Sequence, residues 1–119
     1  MQSHTRAMIA ASAHAVITGK KVAGIYDHAA ARHLRIAAEY RLGRVQGIDA
    51  DRSAKFGGTL PELFDEADKV FVSLEAHGST ARGYDRASGG FYAAEVGDRV
   101  VQIYDYAQST WFSFDVQVA

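Results

Sequence analysis

Cysteine is absent from the 119 residues of the chain, which removes disulfides, thiolate nucleophiles and cysteine-ligated zinc together. Such a composition suits a reducing compartment, and the expected location is the cytoplasm. Charge of one sign is also lacking. Thirteen Lys and Arg against fourteen Asp and Glu leave a formal charge of −1, and the longest run of cations is Lys20-Lys21. Phosphate neutralisation needs several convergent cations, so neither a nucleic acid nor a membrane surface is an expected partner. No segment approaches the ~20 consecutive apolar residues of a membrane span. The Ala-rich stretch within Met1 to Ile17 contains Ser12 and His14, where an export signal would be apolar.

Signatures of phosphate and nucleophile chemistry are missing as well. Gly57-Gly58 and Gly89-Gly90 have neither the lysine nor the helix start of a phosphate loop. Ser88, Ser109 and Ser113 have no nucleophile-elbow context. His28 and His33 are five residues apart, which matches neither a helical pair nor a zinc finger. Asp49-Ala-Asp51 places two carboxylates on one side of an extended segment but has no third acid to complete a cation site. No cofactor and no metal are therefore expected.

What the chain does contain is a repeat. Val22-Ala-Gly-Ile25-Tyr26-Asp27, Val45-Gln-Gly-Ile48-Asp49 and Val100-Val-Gln-Ile103-Tyr104-Asp105 are similar, and a degenerate copy ends in Gly83-Tyr84-Asp85. Turn residues precede three of the copies, at Gly19-Lys20-Lys21, Gly43-Arg44 and Gly97-Asp98-Arg99. Beyond each aspartate a short stretch gives way to apolar alternation, as in Leu34, Ile36, Ala38 or Tyr92, Ala94, Val96 or Phe112, Phe114, Val116. Spacing of two is what strands with one buried face require. Val and Ile three apart within a copy point to opposite faces, so either both faces are covered or Gly24 and Gly47 mark bulges.

The expected fold is therefore α+β: a single β-rich domain of residues 1–119, mostly antiparallel, built from about four hairpin-like repeats near 19–42, 43–60, 78–96 and 97–118. Leu60, Leu63, Phe64 and Ala67 form an i, i+3, i+4, i+7 stripe, and Thr59 and Glu62 fit a capping box. They predict one short helix, about residues 60–69, packed on the sheet, with Glu62, Asp65, Glu66 and Asp68 facing solvent. Val70 to Glu75 reads as a strand. Residues 3–12 fit helix or strand, and Ala13 to Ile17 are expected to pair with Val22 across the Thr18-Gly19-Lys20 turn.

Candidate ligand-binding residues follow from the repeated Tyr-Asp pairs, Tyr26/Asp27, Tyr84/Asp85 and Tyr104/Asp105, which repetition would bring to one rim. His77 and Trp111 join them. Trp111 shares a strand face with Ser113, Asp115 and Gln117, opposite the apolar face of Phe112, Phe114 and Val116, and tryptophan on such a face anchors partners. The bland alternative for the aspartates is turn capping through backbone amides. Because the C-terminal strand reads as a sheet edge with little charge, self-association through it, as a dimer or tetramer, is expected. The expected function is a non-enzymatic small-molecule or protein binding module acting as a homo-oligomer. The alternative is a small hydrolase or isomerase using Asp27, Asp85 or Asp105 with His28 or His77 as acid and base.

Overall fold

Residues 1–119 are all described by a computed structural model, and the helix in it lies where the sequence was ambiguous. Helix α1 spans Ser3–Thr18. Alanine is the best helix former, and no glycine or proline interrupts the segment. The helix stops at Gly19, whose φ of 72° is left-handed and whose N–H donates to the Ala15 carbonyl at 2.9 Å. The expectation that Ala13 to Ile17 form a strand is thereby corrected.

Every residue from Thr5 to Ala15 is buried, so the helix has no solvent face along this stretch. A helix covered on all sides must lie inside a core. What surrounds it is a closed antiparallel barrel. Its strands are β1 (Val22–Asp27), β2 (Arg32–Leu34), β3 (Ile36–Arg41), β4 (Arg44–Asp49), β5 (Ala54–Thr59), β6 (Glu62–Asp65), β7 (Val70–Ser73), β8 (Glu75–His77), β9 (Thr80–Asp85), β10 (Gly90–Val96), β11 (Val100–Asp105) and β12 (Thr110–Val118). Ten of them close the ring in the order β10-β11-β12-β1-β3-β4-β5-β6-β7-β9, with β9 pairing back to β10. Strands β2 and β8 continue β3 and β7 across kinks at Arg35 and Leu74, pairing with β1 and β9. Eight-stranded barrels are filled by their own side chains, whereas wider ones leave a lumen. Here Ala7, Ala10, Ala11, Ala13 and Ala15 keep the helix thin enough to occupy it, and Met8 and Ile9 fill the remaining space.

The predicted helix at 60–69 does not form. Residues Glu62–Asp65 are strand β6, and Asp65, expected on a solvent face, is only 2% exposed. Leu63 and Asp65 point inward and Phe64 outward, a period of two that the i, i+3, i+4 stripe concealed. This segment is a further copy of the repeat, so the hairpins number five rather than four.

The five share one register. The residue two before each aspartate pairs across the hairpin with the residue seven after it: Ile25 with Leu34, Gly47 with Phe56, Leu63 with Val72, Gly83 with Tyr92, and Ile103 with Phe112. Where the first partner is glycine, the second is a buried aromatic ring that fills the space over it. Of the two glycines read as possible bulges, Gly24 lies at a register shift in β1. Gly47 does not; it makes room for the Phe56 ring, which a Cβ would strike.

The C-terminal strand is not an edge. β12 pairs with β11 on one side and β1 on the other, with Val22 opposite Val118. Ring closure satisfies its backbone, and the physical reason for self-association through this strand falls away. No helix of the structure is long and apolar enough to cross a membrane.

Candidate functional site

Alternation along each strand separates the two halves of every Tyr-Asp pair. Asp27, Asp49, Asp65, Asp85 and Asp105 all turn inward at the ends of β1, β4, β6, β9 and β11, and none is more than 4% exposed. Each carboxylate closes its turn. Oδ1 of Asp27, Asp65, Asp85 and Asp105 accepts the amide N–H two residues on, from Ala29, Ala67, Ala87 and Ala107, at 3.0, 2.9, 3.1 and 3.1 Å. Asp49 accepts from the Arg52 amide at 3.4 Å. The fourth residue of each loop is left-handed, at Ala31, Ser53, Lys69, Gly89 and Ser109. One turn is thus built five times, and the aspartate side chain is part of its backbone network.

Asp105 lies against Met1 and Arg6, and Asp65 beside His4, at the N-terminal end of α1, where the helix dipole favours negative charge. Arg6 Nη1 lies 3.5 Å from Asp105 Oδ2, and its guanidinium covers the Phe112 ring at 3.7 Å. Arg52 reaches Asp65 at 3.2 Å, Asp68 at 3.3 Å and Asp49 at 3.6 Å. Burial alone would raise the Asp65 carboxyl, but the Arg52 hydrogen bonds and the Asp68 and Ala67 amides outweigh it and hold it below its ordinary value. His4, at 2.6 Å from Asp68, completes a cluster of potential metal donors with Asp65. The guanidinium already supplies that cluster with its positive charge.

The histidines do not meet the repeated aspartates. His28 Nε2 is 3.0 Å from Asp115 Oδ2 on the barrel exterior, and its ring meets the edge of Tyr26. His77 stands at the start of the β8–β9 hairpin, the length of β9 away from Asp85. His14 is fully buried; its Nε2 donates to the Asp98 carbonyl at 2.7 Å, tying the helix to the β10–β11 turn.

Outward from the aspartates the repeat places something else. The residue before each aspartate pairs, on the outer surface, with the residue six after it. Ring centroids are 4.8 Å apart in Tyr26–His33, 4.8 Å in Phe64–Phe71, 4.7 Å in Tyr84–Phe91 and 5.2 Å in Tyr104–Trp111. Ile48–Lys55 is the one copy without aromatics. Tyr106 stacks its edge on Tyr104 at 4.8 Å. Phe91 is 62% exposed, Tyr106 56%, Trp111 50% and Phe71 43%. These are large apolar surfaces left in water on the side of the barrel formed by β6, β7 and β9 to β12.

Two of the hollows on the exterior bear on binding. A cleft of about 590 Å³ beside the aromatic wall is lined by Tyr84, Phe91 and Tyr106, with Ala93 at its base and Glu75 and Arg82 beyond. Arg82 and Glu75 lie 3.9 Å apart and are both well exposed. The second, about 990 Å³, lies over β3 to β6, where Ala37 and Gly57 leave a shallow depression among Lys21, Arg44, Lys55 and Glu66. The first combines flat aromatic walls with a few polar groups, as ligand sites do; the second also has apolar lining, from Val22, Ile48, Phe56 and Phe64, but interspersed with the charges of Lys21, Glu39, Arg44, Lys55 and Glu66.

Of the candidate residues, Tyr84, Tyr104 and Trp111 are brought together on the outer wall. Asp27, Asp85 and Asp105 lie behind the wall of the barrel from them, Tyr26 stands with His28 and His33, and His77 is at the far end. Phe91, Tyr106, Phe64 and Phe71 were not singled out. The register could have found them, since each stands one before or six after an aspartate, apart from Tyr106, which follows one directly. Comparison with protein-family models, with curated proteins and with solved structures finds no match to this chain.

Proposed function

We propose that this protein is a non-enzymatic binding module that holds its ligand on the outer aromatic wall. The observation that carries this reading is the gathering of Phe91, Tyr106 and Trp111, each half or more exposed, against Tyr84 and Tyr104. Exposing such rings is unfavourable by roughly 25 cal/mol for each Å² of apolar surface. Strand alternation fixes these positions on the outer face, where a polar residue would be soluble without touching the core, yet aromatic rings stand there packed ring to ring. A rigid aromatic surface loses little entropy when it binds.

The acid–base alternative has less support. Asp27, Asp85 and Asp105 are engaged by turn amides and shielded from solvent, and neither His28 nor His77 lies beside them. A carboxylate whose Oδ1 holds turn amides and which is at most 4% exposed offers a substrate little access. The exposed His28–Asp115 pair borders neither hollow.

A thermal-shift screen of metabolites and oligosaccharides tests the reading. A ligand at ~100 times its Kd stabilises the fold by about 2.7 kcal/mol. The expected result is a hit whose stabilisation disappears in Tyr106→Ala and Trp111→Ala, both of which alter exposed positions. Hits that persist unchanged in both variants would place binding elsewhere and remove the proposal.

A further inference from the structure

Resting on that reading, we infer that the cleft beside the wall takes a small aromatic zwitterion, of which an α-amino acid with a planar ring is the simplest. The strand register explains why a hollow exists there. One outward row crosses five strands as Glu75, Arg82, Ala93, Tyr104 and Trp111, each opposite the next. Ala93 is its one small member, and Phe91 precedes it on the same face of β10. The short side chain is thus flanked by Arg82 on one side, Tyr104 on the other and Phe91 along the strand, and the cleft of about 590 Å³ opens over it. That volume falls within the roughly 300–1,000 Å³ of small-molecule sites.

Three rings face the hollow. Tyr84 and Phe91 pack together at 4.7 Å, and Tyr106, whose N–H donates to the Phe91 carbonyl at 3.2 Å, stands on the side toward β11. Tyr106 is braced in turn, because its ring meets Tyr104 and Tyr104 meets Trp111. Rings held in this way accept a flat ligand by offset stacking or edge contact.

The charges select among flat ligands. Of the residues lining the cleft only Arg82 and Glu75 are charged, and they are of opposite sign. Arg82 Nε and Glu75 Oε2 are 3.9 Å apart, too far for a hydrogen bond. Their side chains are 72 and 53% exposed, and a pair so exposed holds together weakly. Each can therefore turn to a ligand at little cost. The guanidinium offers a planar fork to a carboxylate, and Glu75 accepts from an ammonium. An α-amino acid carries both groups on one carbon, so its charges can lie antiparallel to the pair while its ring rests over Ala93. An amine lacking the carboxylate brings like charge to Arg82, and a carboxylate lacking the amine brings it to Glu75.

Isothermal titration calorimetry of the full chain with L-phenylalanine, L-tyrosine and L-tryptophan tests the inference. At least one of them binds, and binds at least tenfold more tightly than its decarboxylated amine, its deaminated carboxylate or L-alanine, which has the charges without the ring. Arg82→Gln weakens that amino acid at least fivefold and does not weaken the amine. Glu75→Gln weakens it by as much and spares the carboxylate. Both positions are exposed, so neither change bears on the core. Failure of all three amino acids to bind, an amine or carboxylate that binds as tightly, or either charge variant at wild-type affinity overturns the inference. If a ring-bearing amine or carboxylate matches the amino acids and loses its affinity in Tyr106→Ala, the ligand class is wrong and the binding reading stands. If no ring-bearing compound binds, this inference falls by itself, and the wider thermal-shift screen decides the binding reading.

Discussion

Tyr92 lies across Gly83. The two face each other in the β9–β10 hairpin, and a Cβ at position 83 would come within 2.7 Å of the Tyr92 ring and closer still to the Ser73 carbonyl. The phenol crosses over that glycine and donates to the Ser73 carbonyl at 2.8 Å. Burial, with Glu75 adding to it, pushes the phenol well above the ordinary tyrosine range, so it remains a donor at all accessible pH. This contact closes the seam where β7 gives way to β8. Only Val72 and Asp85 pair directly between β7 and β9, and the Ser73 hydroxyl receives the Tyr84 amide at 2.9 Å.

Gly83→Ala should therefore destabilise the barrel by about 3 kcal/mol, because backbone as well as side chain must shift to admit the methyl. Tyr92→Phe should cost about 1 to 2 kcal/mol, the loss from leaving the Ser73 carbonyl with one fewer partner. Urea denaturation followed by far-ultraviolet circular dichroism measures both. A Gly83→Ala variant as stable as the wild type would mean that the seam is looser than described.

The turn aspartates provide a second expectation. Asp27→Ala and Asp85→Ala each remove a side chain that accepts from a loop amide, and each should lose about 1 to 2 kcal/mol, comparable to losing a helix cap. Ligand affinity at the wall should be unaltered in both once they are compared below their melting points. A large fall in affinity without a fall in stability would return the aspartates to the site.

Acid stability should depend on Arg52. The folded Asp65 carboxyl titrates below its ordinary value of 3.8, so its contribution is fully present above that value and is lost as pH falls through the lower, folded one. Arg52→Met removes the hydrogen bonds that hold it down, leaving a buried carboxylate opposed by desolvation. The expected outcome is a loss of about 2 kcal/mol at neutral pH and an acid-unfolding midpoint moved to higher pH. Wild-type behaviour between pH 2 and 5 would show that the Asp68 and Ala67 amides suffice alone.

The helix in the lumen makes a further demand. Ala10 and Ala11 are fully buried within the ring of strands, so Ala11→Leu should overpack it by at least 1 to 3 kcal/mol, while Ala11→Ser should be milder. Comparing the melting temperatures of the two separates volume from polarity.

Much of this was legible in the chain. Spacing of two after Asp27, Asp85 and Asp105 placed β3, β10 and β12 and put Trp111 outside and Phe114 inside, because a pleated strand with one covered face leaves no other arrangement. Turn capping is the role that the geometry of the aspartates supports. The Leu60 to Ala67 stripe misled because four residues of strand and a turn can satisfy a helical spacing by coincidence, and the next aspartate, Asp65, was hidden inside it.

Periodicity along the chain determined that short antiparallel hairpins would form and which side of each would be apolar. That information is local, carried by neighbours two residues apart. What covers the apolar side was settled only when β1 met β12 and closed a ring wide enough to need a filling. The alanine segment had no face of its own to declare, and it became a helix because a lumen lined on every side leaves backbone amides no partners except one another. Closure also removed the free edge, turned the carboxylates to the inside and left the aromatic residues as the exposed surface.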